Sequence, residues 1–267
     1  MRLGLCYAYT SKIGEIWARE ACMRVYRMAE RNIGIESLYE RVHTRCAAYR
    51  TEGEPDFVVR TTPADIARER EQSAREDERE GLPVRPMRDE YLEELAVYRK
   101  IAEQMPAYDT FLFHGSAVAV DGQGYLFAAK SGTGKSTHAR LWQQLLGDRL
   151  TYVNDDKPLI RIAPEAAMVY GTPYDGKHRL SRDVAVPLQA MCFLQQGPEN
   201  SIRTCSVRKA FPRLLQQAYT PQDQEALRRT VGLLQALTER VKFYELTCNM
   251  DPSAARVAFE AMGGADA

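Results

Sequence analysis

The feature that most constrains this chain is a glycine-rich loop between a strand pattern and a helix pattern. Residues 129–137 are Ala-Lys-Ser-Gly-Thr-Gly-Lys-Ser-Thr. This segment, called the P-loop below, fits the phosphate-binding pattern of Ala or Gly, four variable residues, Gly-Lys, and Ser or Thr. Residues 125–129 predict a short buried strand, and residues 137–146 predict a helix. That context favours a phosphate-binding loop over the alternative, a glycine-rich surface turn.

The P-loop has the chemistry to hold nucleotide phosphates and a magnesium ion. Its backbone N–H groups can surround phosphate oxygens, Lys135 can reach the β- and γ-phosphates, and the Ser136 hydroxyl can bind Mg²⁺. Gly132 and Gly134 let the backbone approach a ligand closely. We therefore expect ATP and Mg²⁺ as ligands. The predicted nucleotide-binding residues are Ser131, Gly132, Thr133, Gly134, Lys135, Ser136 and Thr137.

The composition is that of a soluble globular protein without an excess of either charge. The 267 residues include 36 basic and 36 acidic side chains, so the formal net charge is zero. Neither nucleic acid nor an anionic membrane is therefore expected as a partner. We see no apolar run of the ~20 residues that span a bilayer, no signal-peptide pattern and no C-x-x-C pair among the six cysteines. These features predict a cytoplasmic location.

Two regions are predicted along the chain. Residues 1–107 predict an α+β accessory region, with an amphipathic helix over residues 11–32 and another helix starting at Thr62-Pro63. Residues 108–267 predict a P-loop kinase domain. It begins with a hairpin of residues 111–120 and 125–129 around an Asp-Gly turn. Further strands are predicted near residues 150–153, 159–162, 167–170, 190–194, 201–207 and 242–247, and helices near 208–218 and 225–241.

The second informative element is the acid pair, Asp155-Asp156, which begins 20 residues after Lys135. That spacing allows one short helix and one returning strand, so we expect the acid pair at a strand end close to the phosphates. In a phosphotransferase one carboxylate can orient Mg²⁺ while the other accepts the proton of an attacking hydroxyl. The alternative is that Asp155 and Asp156 only turn the chain, helped by Asn154.

Two further residues are candidates for the same site. His114 lies 21 residues before Lys135 at the end of a predicted hairpin strand, where it can orient an active-site carboxylate. Lys177 lies in a predicted loop, residues 171–179, and can present an ammonium group to a transferring phosphate or an anionic substrate. The alternatives are a purely structural histidine and a solvated loop lysine.

These elements, in this order, resemble the catalytic domain of HPr kinase/phosphorylase. That family has a His-Gly before a hairpin, a Ser-Gly-x-Gly-Lys-Ser loop and a strand that ends in Asp-Asp. This chain offers His114-Gly115, residues 131–136 and the acid pair. The loop is also similar to the Ser-Gly-Thr-Gly-Lys loop of phosphoenolpyruvate carboxykinases. Residues 171–177 are similar to the Gly-x-Pro-aromatic-x-Gly-Lys segment of HPr-kinase-like proteins, and the resemblance covers roughly residues 109–210.

The resemblance implies an α/β fold, with a mixed, twisted P-loop sheet flanked by helices. It implies Asp155 as the general base, alone or with His114. Ser136 and Asp156 would be Mg²⁺ ligands, and Lys135 would bind the β- and γ-phosphates; the roles of Asp155 and Asp156 can be exchanged. The Arg-Asn and Val-Glu segment of HPr kinases is not found downstream, so HPr as acceptor, phosphorolysis and a hexamer do not follow.

The sequence therefore predicts an ATP- and Mg²⁺-dependent kinase that transfers the γ-phosphoryl group to a hydroxyl, as in an HPr-kinase-like serine kinase. Its partners would be a nucleotide and a hydroxyl-bearing small molecule or a protein serine. One alternative is a small-molecule kinase acting on a polyol or amino acid. Another is a nucleotide-sensing protein that binds ATP without transfer. The sequence names neither the acceptor nor the oligomeric state, and it leaves ATP, GTP and pyrophosphate open as donors.

Overall fold

The computed structural model describes residues 23–79, 81, 83–176 and 178–263. These residues divide into two compact units. The first unit lies within residues 1–27 and 31–100, and the second lies within residues 28–30 and 101–267. The predicted domain boundary at residues 107/108 stays a prediction.

The first unit combines a small sheet with helices. Its strands are β1 (Arg24–Met28), β2 (Arg31–Glu36) and β3 (Phe57–Arg60), in the order β1-β2-β3, with β2 and β3 parallel. Its helices are α1 (Glu40–Arg45), α2 (Pro63–Arg79) and α3 (Asp89–Gln104), and a 3-10 turn covers Ala47–Tyr49. The predicted helix start at Thr62-Pro63 is confirmed by α2.

The predicted helix over residues 11–32 is wrong wherever the structure describes that segment. β1 and the start of β2 occupy it, and residues 11–22 lie outside the described part. Ala29 and Glu30 join the two strands with φ of 46° and 65°. Two consecutive residues with positive φ form the tight turn whose twist matches that of hairpin strands. The apolar residues of this segment fit both a helical and an alternating period, and the turn decides between them.

A buried carboxylate organises the first unit around α3. Glu93 is fully buried and accepts hydrogen bonds from the backbone N–H groups of Leu38 (2.6 Å) and Tyr39 (2.8 Å) and from the Thr61 hydroxyl (2.5 Å). Burial raises the pKa of Glu93, and these three donors oppose that rise. The carboxylate thus accepts two backbone N–H groups of the segment after β2 and ties that segment to Thr61, which follows β3.

The second unit is an α/β domain built on a mixed sheet of nine strands. The strands are β4 (Thr110–Leu112), β5 (Ser116–Val120), β6 (Gln123–Ala128), β7 (Leu150–Asn154), β8 (Leu159–Ile162), β9 (Ala167–Tyr170), β10 (Ala185–Gln196), β11 (Ser201–Thr204) and β12 (Lys242–Cys248). The helices are α4 (Lys135–Leu146), α5 (Val207–Gln217), α6 (Gln224–Arg240) and α7 (Ser253–Met262), with 3-10 turns at Met105–Tyr108 and Gly147–Arg149.

The strand order is β4-β8-β9-β10-β6-β5-β7, with β12 beside β10 and β11 beside β12. The first residues of β10 pair antiparallel with β9, while its later residues pair parallel with β6 on one side and β12 on the other. β5 is antiparallel to both β6 and β7. β6, α4 and β7 therefore form a crossover unit with β5 inserted between its two parallel strands.

Helices cover both faces of the central strands. Along β5, Ala117 and Ala119 pack with side chains of α5 and α6, whereas Val118 and Val120 pack with side chains of α4 and α7. Successive strand residues point to opposite faces, so this alternation places one hydrophobic cluster on each side of the sheet. The predicted class, a mixed sheet flanked by helices, is confirmed at this level.

The segment predicted as one strand over residues 111–120 is two strands, which pair with different partners. β4 pairs with β8, and β5 pairs with β6 and β7. Between them, the N–H of His114 donates to Gln217 O (2.8 Å) and the N–H of Gly115 donates to Asp156 O (3.0 Å). A Cβ at Gly115 would lie 2.7 Å from the Leu126 side chain, so this break needs glycine.

Candidate active site

The P-loop, the acid pair and His114 lie at one edge of the sheet. In the strand register Ser116 pairs with Phe127 and Ala117 pairs with Asn154. The carboxyl ends of β6 and β7 therefore meet the amino end of β5. Since the P-loop follows β6, the acid pair follows β7 and His114 precedes β5, these three segments come together although they are distant in sequence.

The two glycines of the P-loop border open space. Gly132 and Gly134 have φ of 77° and 113°, and a Cβ at either position would meet no described atom within 4 Å. Gly134 precedes α4, and its carbonyl accepts the N–H of His138 (2.9 Å). The N–H groups of a first helical turn have no partner within the helix and carry partial positive charge. The loop and the start of α4 together are thus able to bind an anion.

The side chain of Lys135 is held inside the loop. Lys135 is 8% exposed, and its Nζ donates to Ala129 O at 3.0 Å. Burial lowers the pKa of Lys135, and the negative charge of Asp156 opposes that effect. The ammonium group therefore lies within electrostatic reach of the acid pair.

Asn154 fixes the turn that carries the acid pair. It is fully buried, and its Oδ1 accepts the N–H groups of Asp156 (2.9 Å) and Lys157 (2.6 Å). Its Nδ2 donates to the Thr172 hydroxyl (3.0 Å). The Asn154 side chain thus joins the end of β7 to the loop that follows β9. In the sequence, Asn154 enters only through the alternative that this segment turns the chain, and its bond to Thr172 has no local signal.

Asp155 lies under the loop that follows β9. It is 4% exposed, and its Oδ1 accepts the N–H of Gly176 at 2.7 Å. Burial raises the pKa of Asp155; the Gly176 N–H opposes that rise, and the charges of Asp175 and Asp156 add to it. A Cβ at Gly176 would lie 2.7 Å from Asp155 Oδ2, so glycine is required for the loop to lie against this carboxylate.

Asp156 has the opposite electrostatic environment. Its side chain is 28% exposed, with Oδ1 3.4 Å from His114 Nε2 and Oδ2 3.1 Å from Lys157 Nζ. Burial raises its pKa, but the hydrogen bond from His114 and the positive charge of Lys157 outweigh burial and lower the pKa to about 2. Adjacent carboxylates therefore differ: Asp156 is held ionised, while protonation of Asp155 is made easier.

The structure brings most of the predicted site residues to this edge. His114, Lys135 and the acid pair converge there, and Ser136 lies in the first turn of α4. His114 contacts Asp156, so its ring is placed to orient that carboxylate. Lys177 lies outside the described residues. The chemical roles assigned to all these residues stay predictions.

A cavity of about 760 Å³ opens beside the first half of the P-loop. We call it the side cavity. Its other walls come from the carboxyl ends of β10 and β12, from β11 and from α5. Gln196, at the end of β10, donates from Nε2 to Thr133 O at 3.3 Å. The sequence gives no signal for these walls, because their residues belong to no motif. The charged residues that line it are Lys130, Arg203, Arg213 and Glu245.

One protein-family model matches most of the chain. The model of a family described as SynChlorMet cassette protein ScmC matches residues 86–252, which is more than half of the sequence. The chain belongs to this family. The description of ScmC states neither a reaction nor a ligand, so membership leaves the chemistry to be argued from the site. None of the curated proteins matches the chain.

Among solved structures, the chain is similar to the HPr(Ser) kinase/phosphatase from Coxiella burnetii. The identity is 12%, the match covers 58% of this chain and 94% of that chain, and the TM-score is 0.33. A likeness with so low a TM-score carries no argument about activity, and the fold described above rests on its own strand order.

The described residues contain neither a membrane-spanning helix nor a cluster of metal-ligating side chains. None of the helices there has the length and apolar character needed to cross a membrane. The same residues contain no cluster of three or more His, Cys, Asp or Glu side chains arranged to hold a metal ion.

Proposed function

We propose that this protein is an ATP- and Mg²⁺-dependent phosphotransferase that transfers the γ-phosphoryl group to a hydroxyl acceptor. One observation supports the proposal: the P-loop lies at the same edge of the sheet as two carboxylates whose pKa values are shifted in opposite directions. A protein that only binds a nucleotide needs the loop but has no use for a base. The acid pair therefore favours transfer over nucleotide sensing.

The P-loop would hold the phosphates. Its N–H groups and the start of α4 supply donors, and Lys135 would exchange its bond to Ala129 O for phosphate oxygens. Residues 131–137 are the nucleotide-binding residues in this proposal. Most of the catalysis in phosphoryl transfer comes from positioning and charge stabilisation, which backbone donors held between β6 and α4 would provide.

Asp156 and Ser136 would hold Mg²⁺. Asp156 fits this role because its pKa of about 2 keeps it ionised, and Mg²⁺ prefers oxygen ligands. Protein sites for Mg²⁺ commonly use one or two side chains together with phosphates and water, so a larger cluster of carboxylates is not needed. When bound, the ion neutralises charge on the β- and γ-phosphate oxygens. His114 and Lys157 keep the Asp156 carboxylate in place.

Asp155 would act as the general base. Its raised pKa makes it a stronger proton acceptor than Asp156. Gly176 binds Oδ1, which leaves Oδ2 to take the proton of the acceptor hydroxyl. The acceptor oxygen forms its bond to the γ-phosphorus as the bond to the β–γ bridging oxygen breaks. ADP leaves, and the proton remains on Asp155 until solvent removes it.

The test uses γ-labelled ATP, Mg²⁺ and a bacterial cell extract separated into protein and small-molecule fractions. Lys135→Ala and Asp155→Asn should each lower turnover by about 10²–10³, as the loss of one stabilising group does, without unfolding the protein. Asp121→Asn is the matched control, because Asp121 pairs with Arg149 on an exposed turn. A folded Asp155→Asn protein with more than half of wild-type turnover contradicts the assignment.

The fraction that carries the label identifies the kind of acceptor. Label in the small-molecule fraction, above the Asp155→Asn blank, makes this a metabolite kinase. Label in the protein fraction makes it a protein serine kinase. Label in neither fraction, with Mg·ATP binding shown by a rise in melting temperature, contradicts phosphotransfer and favours nucleotide sensing.

A further inference from the structure

The side cavity opens beside the P-loop, at the carboxyl ends of the central parallel strands. β6, β10 and β12 are parallel, so their carboxyl ends share the edge that carries the P-loop. One wall of the side cavity is residues 129–133, and the opposite wall includes Gln217 at the end of α5. The carbonyl of Gln217 accepts the N–H of His114, whose ring contacts Asp156. Neither acid is among the described residues that line the side cavity, but Gln217 connects its lining to His114 and so to the acid pair.

The charged lining of the side cavity has an excess of positive charge. Glu245 is the single acid among the charged residues that line it, and it pairs with two arginines. Arg203 Nε lies 2.7 Å from Glu245 Oε2, and Arg213 Nη2 lies 2.7 Å from Glu245 Oε1. One carboxylate cannot neutralise two guanidinium groups, and Lys130 adds a third positive charge. The side cavity is therefore suited to an anion.

Arg213 is the better positioned of the two arginines. Its guanidinium carbon lies 5.2 Å from the centroid of the Phe193 ring, and the Glu245 side chain that holds it is only 11% exposed. The Arg213 side chain is 41% exposed, against 72% for Arg203, so Arg203 is more open to solvent. A guanidinium group carries five N–H donors in a fixed plane, more than one carboxylate oxygen can accept. Arg213 is thus oriented in advance to bind a second carboxylate.

We propose that the side cavity binds the phosphoryl acceptor, that this acceptor is a small hydroxyl compound bearing a carboxylate, and that Arg213 binds the carboxylate. This inference rests on the proposed phosphotransfer. The phosphates of the nucleotide have their own donors in the P-loop and Lys135, so the arginines are available for a different anion. The volume of about 760 Å³ falls within the range of small-molecule sites.

The test compares carboxylates with neutral counterparts: glycerate with glycerol, and L-serine with L-serinamide. Binding is measured by isothermal titration calorimetry in the presence of Mg·ADP. Wild-type protein should bind each carboxylate about tenfold or more tightly than its counterpart, and Arg213→Gln should remove that preference. Glu245→Gln should strengthen carboxylate binding, because it leaves both guanidinium groups uncompensated. Arg229→Gln, which alters an exposed helical pair with Glu225, should change nothing.

The outcomes separate this inference from the phosphotransfer on which it rests. Equal binding of carboxylates and neutral compounds, or an unchanged preference in Arg213→Gln, overturns the inference. Loss of Mg·ADP affinity in Arg213→Gln also overturns it, because the side cavity would then hold the nucleotide. Carboxylate binding through Arg213 without ADP formation from ATP supports the anion site and contradicts phosphotransfer. ADP formation with glycerol as readily as with glycerate supports phosphotransfer and overturns the inference.

Discussion

At the scale of single residues, neighbours give the same side chain different properties. The two acids of the acid pair are adjacent in sequence, yet burial raises the pKa of Asp155, whereas His114 and Lys157 hold that of Asp156 near 2. Asn154 keeps the two carboxylates in these different environments, because its side-chain oxygen holds the backbone of the turn that carries them. Asn154 is a positioning residue and not a catalytic one.

Replacing Asn154 with alanine should destabilise the second unit and misplace the acid pair. The part-buried N–H groups of Asp156 and Lys157 would lose their acceptor, and the expected loss is about 3 kcal/mol of unfolding free energy. Urea denaturation measures it. The control is Asn200→Ala, because Asn200 makes similar bonds to Asn249 and Ser253 near the surface; we expect it to cost ~1 kcal/mol. Equal losses in the two variants contradict the role of Asn154.

At the scale of elements, the site depends on loops that lie close to one another. The segment after β9 packs against β7 and against residues 182–184: Gly171 N–H donates to Val184 O (3.0 Å), and Arg182 N–H donates to Val153 O (3.3 Å). A Cβ at Gly171 would lie 1.7 Å from Arg182 O. This position therefore tolerates only glycine, and it sets how the loop covers Asp155.

Two glycine substitutions should have effects of opposite sign. Gly171→Ala forces backbone apart, and overpacking of this kind costs ~2 kcal/mol or more; turnover should fall with stability. Gly232→Ala places a methyl group on the exposed face of α6, where no described atom lies within 4 Å. It should stabilise the protein by up to ~1 kcal/mol, because alanine favours helix over glycine. Thermal unfolding compares them, and similar melting temperatures contradict the packing argument.

At the scale of the whole molecule, two helical layers bury the sheet and with it an imidazole. His138 of α4 is 2% exposed, packs edge-on against Phe127 at 4.7 Å, and its Nε2 accepts the indole N–H of Trp142 at 3.1 Å. Burial lowers the pKa of His138 to about 4. Protonation of His138 is therefore coupled to the opening of this hydrophobic layer.

Acid should destabilise the fold through His138. Because the folded pKa lies below the unfolded value of about 6.5, the stabilisation is complete above pH 6.5 and is lost as the pH falls towards 4. The shift corresponds to about 3 kcal/mol of unfolding free energy. Between pH 7 and pH 4, the unfolding free energy measured by urea denaturation should fall by about 3 kcal/mol more in wild type than in His138→Gln. His178→Gln, at an exposed position, should lose as much as wild type; if His138→Gln does too, the coupling is wrong.

The sequence alone determined the elements whose signals are local. The strand, loop and helix of the P-loop are β6, the glycine-rich turn and α4, as predicted, and the acid pair follows β7. The Asp-Gly hairpin turn is confirmed by positive φ at Asp121 and Gly122, and the two predicted helices after β11 are α5 and α6. Hydrophobic period, turn residues and helix starts act over a few residues, so they are legible in the sequence.

Only the tertiary structure decided the features that depend on residues far apart in the chain. The break between β4 and β5 arises because Gln217 and Asp156 take the backbone bonds of His114 and Gly115. The difference between the two acids arises from the burial of Asp155 and from His114 and Lys157 beside Asp156. The side cavity joins β11, β12 and α5 to the P-loop. Each of these contacts costs chain entropy, which is offset only when the whole sheet has assembled. No local sequence pattern therefore predicts them.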